Sequence, residues 1–313
     1  MQSNSFSLNI IRYIVICSLL ILFTSCKSDK GKQKSAELNL EDFITEDDIF
    51  DDVNQAKKIF YSLPSPLETA MLIKSAGADY DEELLNSLDN ANKYTTGMSM
   101  ALNLGIYTTD LSFASLFDQT QTSINYMEAA KKMAEGLDIT DAINNETIKR
   151  LEQNLNNRDV IMDIISETFL NSSSYLKEND RQAVAAIVLV GGWIEGLYIA
   201  TQLVGNKPIE NNRLVDRISE QKLSFNIVQR LLEDNRKDES GEENEDIVDL
   251  MVQLKELKTS FDKVKIETSE IKIEPNNETN VTTLKSQSKI TITPEAFSEL
   301  KESVRILRTN FIQ

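Results

Sequence analysis

The stretch "VGGWIEGLYIATQ", residues 190–202, places small residues four apart inside an otherwise apolar run. Gly192, Gly196 and Ala200 fall at positions i, i+4 and i+8, so they lie on one face of an α-helix. A glycine inside a helix costs about 0.5–1 kcal/mol relative to alanine, and this spacing therefore favours a face that another backbone approaches closely. The stretch predicts a central helix that is buried in a bundle.

A second stretch, "TTGMSMALNLGIY" at residues 95–107, repeats the pattern with Gly97, Ala101 and Gly105. We expect both faces to be helix-packing ridges and the two helices to lie centrally, where they cross each other. The same spacing occurs in membrane GxxxG pairs. However, Glu195 and Gln202 interrupt the apolar run, so a buried helix of a bundle is favoured over a membrane span.

The remaining sequence is also helical in pattern. Only five prolines and ten glycines occur in 313 residues, and 41% of the residues are hydrophobic, which is typical of a helical body with few tight turns. Pro66 at a first helical position and Gly77 after the last turn predict one helix. Further helices are predicted at about 80–89, 95–118, 121–136, 140–156, 158–177, 179–205, 211–236 and 244–264. The predicted fold class is all-α, a multi-helix bundle.

The C-terminal third shows three patterns. Apolar residues three and four apart between 247 and 264 give a short seam, which predicts a helical hairpin with the preceding helix. Next, "IKIEP" and "KITITP" alternate apolar and polar residues and predict a small two-stranded β ribbon. Thr293 and Pro294 then begin a terminal helix. The predicted organisation is a main helical bundle at 51–205, with residues 206–313 packed on it.

The N-terminus carries a targeting pattern. An apolar run at residues 13–23 follows a single charge, Arg12, as in a secretory signal, and it is too short to span a bilayer. Two small polar residues then precede Cys26, and this junction resembles the lipobox of bacterial lipoproteins. The resemblance implies a lipoprotein signal peptide at 1–25, lipidation of Cys26 and a flexible tether at 26–50. An ordinary signal peptide with an incidental cysteine is the alternative.

The residues after Cys26 indicate the destination. Lys27 stands where an aspartate would resemble an inner-membrane retention signal, so the outer membrane is predicted. Surface-exported lipoproteins of Bacteroidota resemble one another in an acidic cluster after the cysteine, whereas this chain has "KSDK". The periplasmic side is therefore favoured over the cell surface. A diacylglycerol with a further acyl chain such as palmitate would hold the protein stably, because a single chain binds only marginally.

Composition excludes several classes of function. The chain has 50 acidic and 33 basic residues and a net charge of −17, so it repels phosphate backbones and no nucleic-acid partner is expected. Histidine is absent, which excludes Ser-His-Asp and Cys-His catalysis and the H-E-x-x-H zinc site. Its two cysteines are Cys17, in the signal, and Cys26, so neither remains for a disulfide or a metal site. No cofactor and no metal are predicted.

Glu195 is the candidate site residue, because an acid inside the most apolar helix must be paired or have a raised pKa. One hypothesis makes it a ligand-binding or catalytic carboxylate in the bundle core. The favoured hypothesis is a buried carboxylate satisfied by a hydroxyl, an amide or an arginine from a neighbouring helix. A di-metal site would need histidines as well. Sugar platforms rely on exposed aromatic rings, whereas the single tryptophan, Trp193, is predicted to be buried.

Three segments, "FYSLPSPLETAMLIKSAGADYD", "KYTTGMSMALNLGIYTTDLSFASLFDQTQ" and "GGWIEGLYIATQ", resemble a group of uncharacterised Bacteroidota lipoproteins. The resemblance implies no activity. We expect a lipid-anchored protein of the cell envelope that acts by binding or scaffolding, held to the membrane through Cys26 and contacting an envelope protein partner. The alternatives are a hydrolase that uses carboxylates, recognisable by two acids converging in a cleft, and a lipoprotein that binds a small ligand or glycan.

Overall fold

The computed structural model describes residues 65–139, 145–154, 157–205, 207–238, 240–268, 272–276, 281–285 and 288–313. Within these ranges the chain is a bundle of helices with a small β element near the C-terminus, which confirms the all-α prediction. The predicted signal peptide, the tether and Cys26 lie outside the described residues.

The helices and strands follow one another along a single chain. They are α1 (Pro66–Ser75), α2 (Gly97–Leu116), α3 (Thr120–Gly136), α4 (Asn145–Gln153), α5 (Arg158–Glu178), α6 (Gln182–Val204), α7 (Arg213–Asp234), α8 (Glu245–Gln253), α9 (Lys255–Asp262), β1 (Lys265–Thr268), β2 (Lys272–Asn276), β3 (Val281–Lys285), β4 (Ser288–Thr291) and α10 (Pro294–Phe311). Two 3-10 helices, Glu82–Leu84 and Leu88–Asn92, lie between α1 and α2.

Helices α2 and α6 form the centre of the bundle. They make the most extensive helix pairing among the described residues, and α3 and α1 pack on α2. Helix α6 is long and apolar enough to cross a membrane by composition, with a mean hydropathy of 1.9, but 83% of that window is buried inside the bundle. Contacts with neighbouring helices therefore account for its apolar composition.

Several helices begin where the sequence places a cap. Ser65 accepts a hydrogen bond from the backbone N–H of Glu68, and the Glu68 carboxylate accepts one from the N–H of Ser65. Thr293 likewise accepts from the N–H of Ala296 at the start of α10. Each cap satisfies backbone N–H groups that have no partner within the helix.

The helix predicted at 80–89 is wrong. This region forms the two 3-10 helices instead, separated by extended backbone at Leu85. The side chains of Asp81 and Ser87 accept hydrogen bonds from the N–H groups two residues further on, those of Glu83 and Asp89. Such local side-chain bonds give the backbone an alternative to the α-helix.

The single helix predicted at 244–264 is also wrong in detail, because α8 and α9 meet at Leu254. There the backbone has ψ −6°, far from the α-helical value near −42°. The apolar seam nevertheless faces the core as one stripe, and all six of its residues are buried: Ile247, Leu250, Leu254, Leu257, Phe261 and Val264.

The β element has a different pairing from the one predicted. Strand β2, which holds Lys272–Pro275 of the "IKIEP" stretch, pairs antiparallel with β3, whereas β4, which holds the start of "KITITP", pairs antiparallel with β1. The prediction joined β2 with β4. Pairing β2 with the next strand along the chain closes a shorter loop, which costs less conformational entropy.

The C-terminal third packs on the central helix through a stacked aromatic cluster. Trp193 on α6 stacks on Phe225 of α7 with 5.8 Å between ring centroids, and Phe225 stacks on Phe261 of α9 at 5.2 Å. Helix α10 contacts both α6 and α9. These contacts bring α10 against the same helix that crosses α2.

Candidate functional site

The crossing of α2 and α6 is a contact between two backbones. A Cβ atom added at Gly105 would overlap the carbonyl oxygen of Val188 and lie 2.5 Å from the backbone nitrogen of Gly192. At Gly191 it would overlap the carbonyl of Leu102. Thr109 Oγ1 lies 3.1 Å from the carbonyl oxygen of Gly192, so its hydroxyl joins the two helices.

The other small residues of the two ridges have different surroundings. Gly196 faces α1, where an added Cβ would overlap the Thr69 methyl group, and a Cβ on Gly97 would meet nothing within 4 Å. Ala101 and Ala200 are both buried. Spacing by four did not single out Gly191, although it contacts α2 as closely as Gly105 contacts α6.

Gly196 also lines a narrow groove between α1, α6 and α7, together with Thr69, Trp193, Ala200 and Gln221. Its internal volume is about 30 Å³, enough for a few water molecules at most. Trp193 is 3% exposed and donates its indole N–H to Gln221 Oε1 at 3.0 Å. The tryptophan is therefore a core residue and does not offer a sugar platform.

Glu195 belongs to a polar core cluster that we define as Asn86, Asp110, Glu195 and Arg308. The guanidinium of Arg308 on α10 donates two hydrogen bonds to Glu195, from Nε and Nη2, each 2.9 Å long. Glu195 is fully buried, and the Arg308 side chain is 8% exposed. Arg308 also donates to the carbonyl of Leu84 and lies 4.5 Å from the ring centroid of Tyr198. This planar, two-bond pairing is the strongest arrangement of a carboxylate with a cation.

The second acid of the cluster, Asp110 on α2, is also fully buried. Its Oδ2 accepts from the backbone N–H of Asn86 at 3.1 Å, whereas no described residue donates to its Oδ1. Its side chain lies within hydrogen-bonding reach of Glu195. Burial and then the negative charge of Glu195 raise the pKa of Asp110 well above its ordinary value, although Arg308 acts in the opposite direction.

The pKa of Arg308 depends on the same burial and on the same neighbouring carboxylate. Burial acts to lower the pKa of Arg308, but the charge and hydrogen bonds of Glu195 outweigh it, so the pKa is raised. Arg308 is therefore charged throughout the range in which the protein folds. Removing it would leave a buried carboxylate without a counter-ion.

Asn86 connects this cluster to the C-terminus. Its side-chain amide donates to Tyr94 Oη at 3.0 Å and to Asn103 Oδ1 at 3.1 Å. Asn103 in turn donates to the carbonyl of Phe311 at 2.8 Å, and Tyr94 donates to that of Ile312 at 3.3 Å. The last turn of α10 is thus held by buried polar side chains as well as by its apolar stripe.

The sequence indicated only part of this cluster. Asp110 could have been found by the argument that singled out Glu195, because it lies inside the apolar run 101–116 that α2 buries. Arg308 gives no comparable signal, since it lies on an amphipathic helix with other charged residues. Asn86 lies in the region wrongly predicted as a helix.

A wider cleft opens at the end of α6. Its volume is about 430 Å³, and it is lined by the end of α1 at residues 76–78, by Leu203 and Val204, and by the segment that leads into α7. That segment contributes Lys207, Glu210 and Arg213, all exposed. The cleft therefore combines an apolar floor with charged walls.

Neither the polar core cluster nor the cleft at the end of α6 is arranged to hold a metal. Among the residues that the structure describes, no group of three or more acids is placed to bind an ion. No family model matches the chain, and comparison with the curated proteins and with the solved structures gave no match.

Proposed function

We propose that this protein is a lipid-anchored component of the cell envelope, held on the periplasmic side of the outer membrane through Cys26, that acts by binding or scaffolding. The observation that carries the proposal is that the two acids of the polar core cluster are buried and inaccessible to a substrate. Glu195 and Asp110 are both fully buried, and Arg308 satisfies Glu195 with two hydrogen bonds. The two acids that come together in the described chain serve the packing of α10.

The hydrolase alternative needs two acids on the wall of a cleft that a substrate can enter. Here the acids meet inside the bundle, and α10 covers them through Arg308. A substrate cannot reach Glu195 in this arrangement, because the carboxylate is fully buried. The buried Trp193 gives the glycan-binding alternative no support either.

The cleft at the end of α6 is the contact site that we propose. Its volume of about 430 Å³ falls within the range of about 300–1,000 Å³ that is common for ligand sites. Its lining offers Lys207 and Arg213 on a chain whose net charge is −17. A peptide segment of a partner, or a small ligand, could make both apolar and charge-assisted contacts there.

The anchor is tested by Cys26→Ala. We expect this change to abolish both the incorporation of a fatty-acid probe and retention in the membrane fraction, since the lipidated cysteine supplies the membrane attachment. Cys17→Ala is the matched control, because Cys17 lies in the signal that is removed; this variant should be labelled and retained like the wild type. Retention of the Cys26→Ala protein in membranes would contradict the proposed anchor.

The binding role is tested by placing a photo-crosslinking side chain at Glu210 in the cleft or at Glu256, an exposed position on α9 outside it. In whole cells, the Glu210 position should give a discrete adduct that the Glu256 position does not give. Equal labelling from both positions, or no adduct from the cleft, would contradict binding at this cleft.

A further inference from the structure

The charges of the polar core cluster do not balance if every acid is ionised. Glu195 and Asp110 face each other in the core, and the cation in contact with them is Arg308. Arg308 gives two of its hydrogen bonds to Glu195 and one to the Leu84 carbonyl. Within the part of the chain that the structure describes, Asp110 receives one backbone N–H on Oδ2 and no donor on Oδ1. A second buried negative charge with so few donors would be costly.

A proton removes this conflict. Two carboxyl groups within hydrogen-bonding reach can bond to each other only when one of them carries a hydrogen, because two ionised carboxylates are both acceptors. Both oxygens of Glu195 already accept hydrogen bonds from the guanidinium of Arg308. The proton therefore belongs on Asp110 Oδ1, the oxygen without a donor, from which it points to Glu195.

We propose that Asp110 and Glu195 share one proton in the folded protein, and that this protonated pair is a pH-sensitive latch that holds α10 in the bundle. Helix α10 enters the core through Arg308, and its last turn is held by Asn103 and Tyr94. When Asp110 loses the proton, the cluster becomes two carboxylates against one guanidinium. The contacts that hold α10 are then weakened.

Titratable groups face the cluster from each element packed around it. The acids are Asp110 on α2, Glu195 on α6 and Glu82 ahead of α2, and the cation is Arg308 on α10. The tyrosines are Tyr80, Tyr94, Tyr107, Tyr126 and Tyr198. Burial raises the pKa of every one of these tyrosines, to about 12 for Tyr80. These tyrosines therefore stay neutral at the pH values where carboxyl groups titrate, so they do not supply the change of charge.

The direction of the effect follows from linkage. The pKa of Asp110 in the folded protein is raised well above its ordinary 3.8, so the folded state keeps a proton that the unfolded or opened chain releases. The contribution of Asp110 to stability is therefore fully present below its ordinary pKa. It is lost as the pH rises towards the raised value, and the opening equilibrium of α10 increases by up to about tenfold per pH unit in that window.

Hydrogen exchange of the full-length protein in detergent tests this inference. Amide protection factors of residues 294–313, each corrected for the intrinsic exchange rate at that pH, should fall in the wild type as the pH rises above 3.8, the ordinary pKa of an aspartate, towards the raised pKa of Asp110. Asp110→Asn keeps a donor towards Glu195 and cannot ionise, so its protection factors should not vary with pH in this way. Asp79→Asn, which removes an exposed acid, should behave like the wild type.

A pH dependence that persists in Asp110→Asn, or that is absent from the wild type, would overturn the proposal. Infrared spectroscopy of the unaltered protein gives a second measurement that does not depend on a variant folding. The proposal requires the C=O band of a protonated carboxyl group at a pH where exposed aspartates and glutamates are ionised, and the loss of this band when the pH is raised further. Absence of that band under these conditions would overturn the proposal as well.

Discussion

Helix α6 is held by two opposite kinds of contact within one turn of its length. At Gly191 it meets α2 backbone to backbone, and at Gly192 it meets the backbone of Gly105 and the hydroxyl of Thr109. At Glu195 it meets α10 through a buried ion pair and long polar side chains. The first contact has no room for even one added carbon atom, whereas the second depends on charge and on a proton.

The difference shows which contact fixes the fold and which responds to conditions. A backbone crossing depends on steric fit and dispersion, which do not change with pH. A buried ion pair gains little net free energy over apolar packing, because desolvation offsets the attraction. We therefore expect the α2–α6 crossing to determine whether the bundle forms and the α10 contact to determine how firmly the terminal helix is attached.

Among the substitutions at the helix crossings, the largest effect is expected from Gly105→Ala. The added methyl group would overlap the carbonyl of Val188 and crowd the backbone of Gly192, and backbone atoms in a central crossing cannot move aside individually. We expect destabilisation at or above the upper end of the range of about 1–3 kcal/mol for overpacking. The measurement is the free energy of unfolding from chemical denaturation.

Gly97→Ala is the matched control, since a Cβ at Gly97 meets nothing within 4 Å. This variant should be as stable as the wild type, or slightly more stable, because alanine has the higher helix propensity. Equal stabilities of Gly105→Ala and Gly97→Ala would show that the close crossing is not required.

A smaller effect is expected at Gly196, which faces the Thr69 side chain and not a backbone. Gly196→Leu should cost about 1–3 kcal/mol, because α1 must move away from α6. Gly196→Ala should cost less, since the partly buried Thr69 can rotate its methyl group aside. Adding Thr69→Ser to Gly196→Ala should restore stability in thermal melts. A Gly196→Leu protein as stable as its parent would contradict the predicted contact with α1.

Sequence patterns predicted the central helices well. The structure has α2 at Gly97–Leu116 and α3 at Thr120–Gly136, against predictions of 95–118 and 121–136. Helix α2 is a long apolar segment that begins at the Thr96 cap, and such signals determine helix position locally. The helix predicted at 80–89 was wrong because the side chains of Asp81 and Ser87 accept hydrogen bonds from nearby backbone N–H groups. The strand pairing was wrong because alternation indicates strands and does not specify their partners.

Only the acids of the candidate site could be predicted from the sequence. Glu195 was conspicuous because a single acid interrupts an apolar helix, and the same signal was present at Asp110 in α2. Arg308 was not conspicuous, since it lies 113 residues away in the sequence on a helix rich in charges. Only the folded chain shows that these three side chains meet, because their contact depends on how α2, α6 and α10 are placed around one another.

The most direct test of the account is the coupling between Glu195 and Arg308. It is measured by denaturation in an Asp110→Asn background, which leaves Glu195 as the one acid of the polar core cluster. If Glu195 is the structural partner of Arg308, then Arg308→Met should cost about 3–5 kcal/mol while Glu195 is present. The same change should cost little once Glu195→Gln has removed the charge. An equal cost with and without Glu195 would contradict the structural role that we assign to this carboxylate.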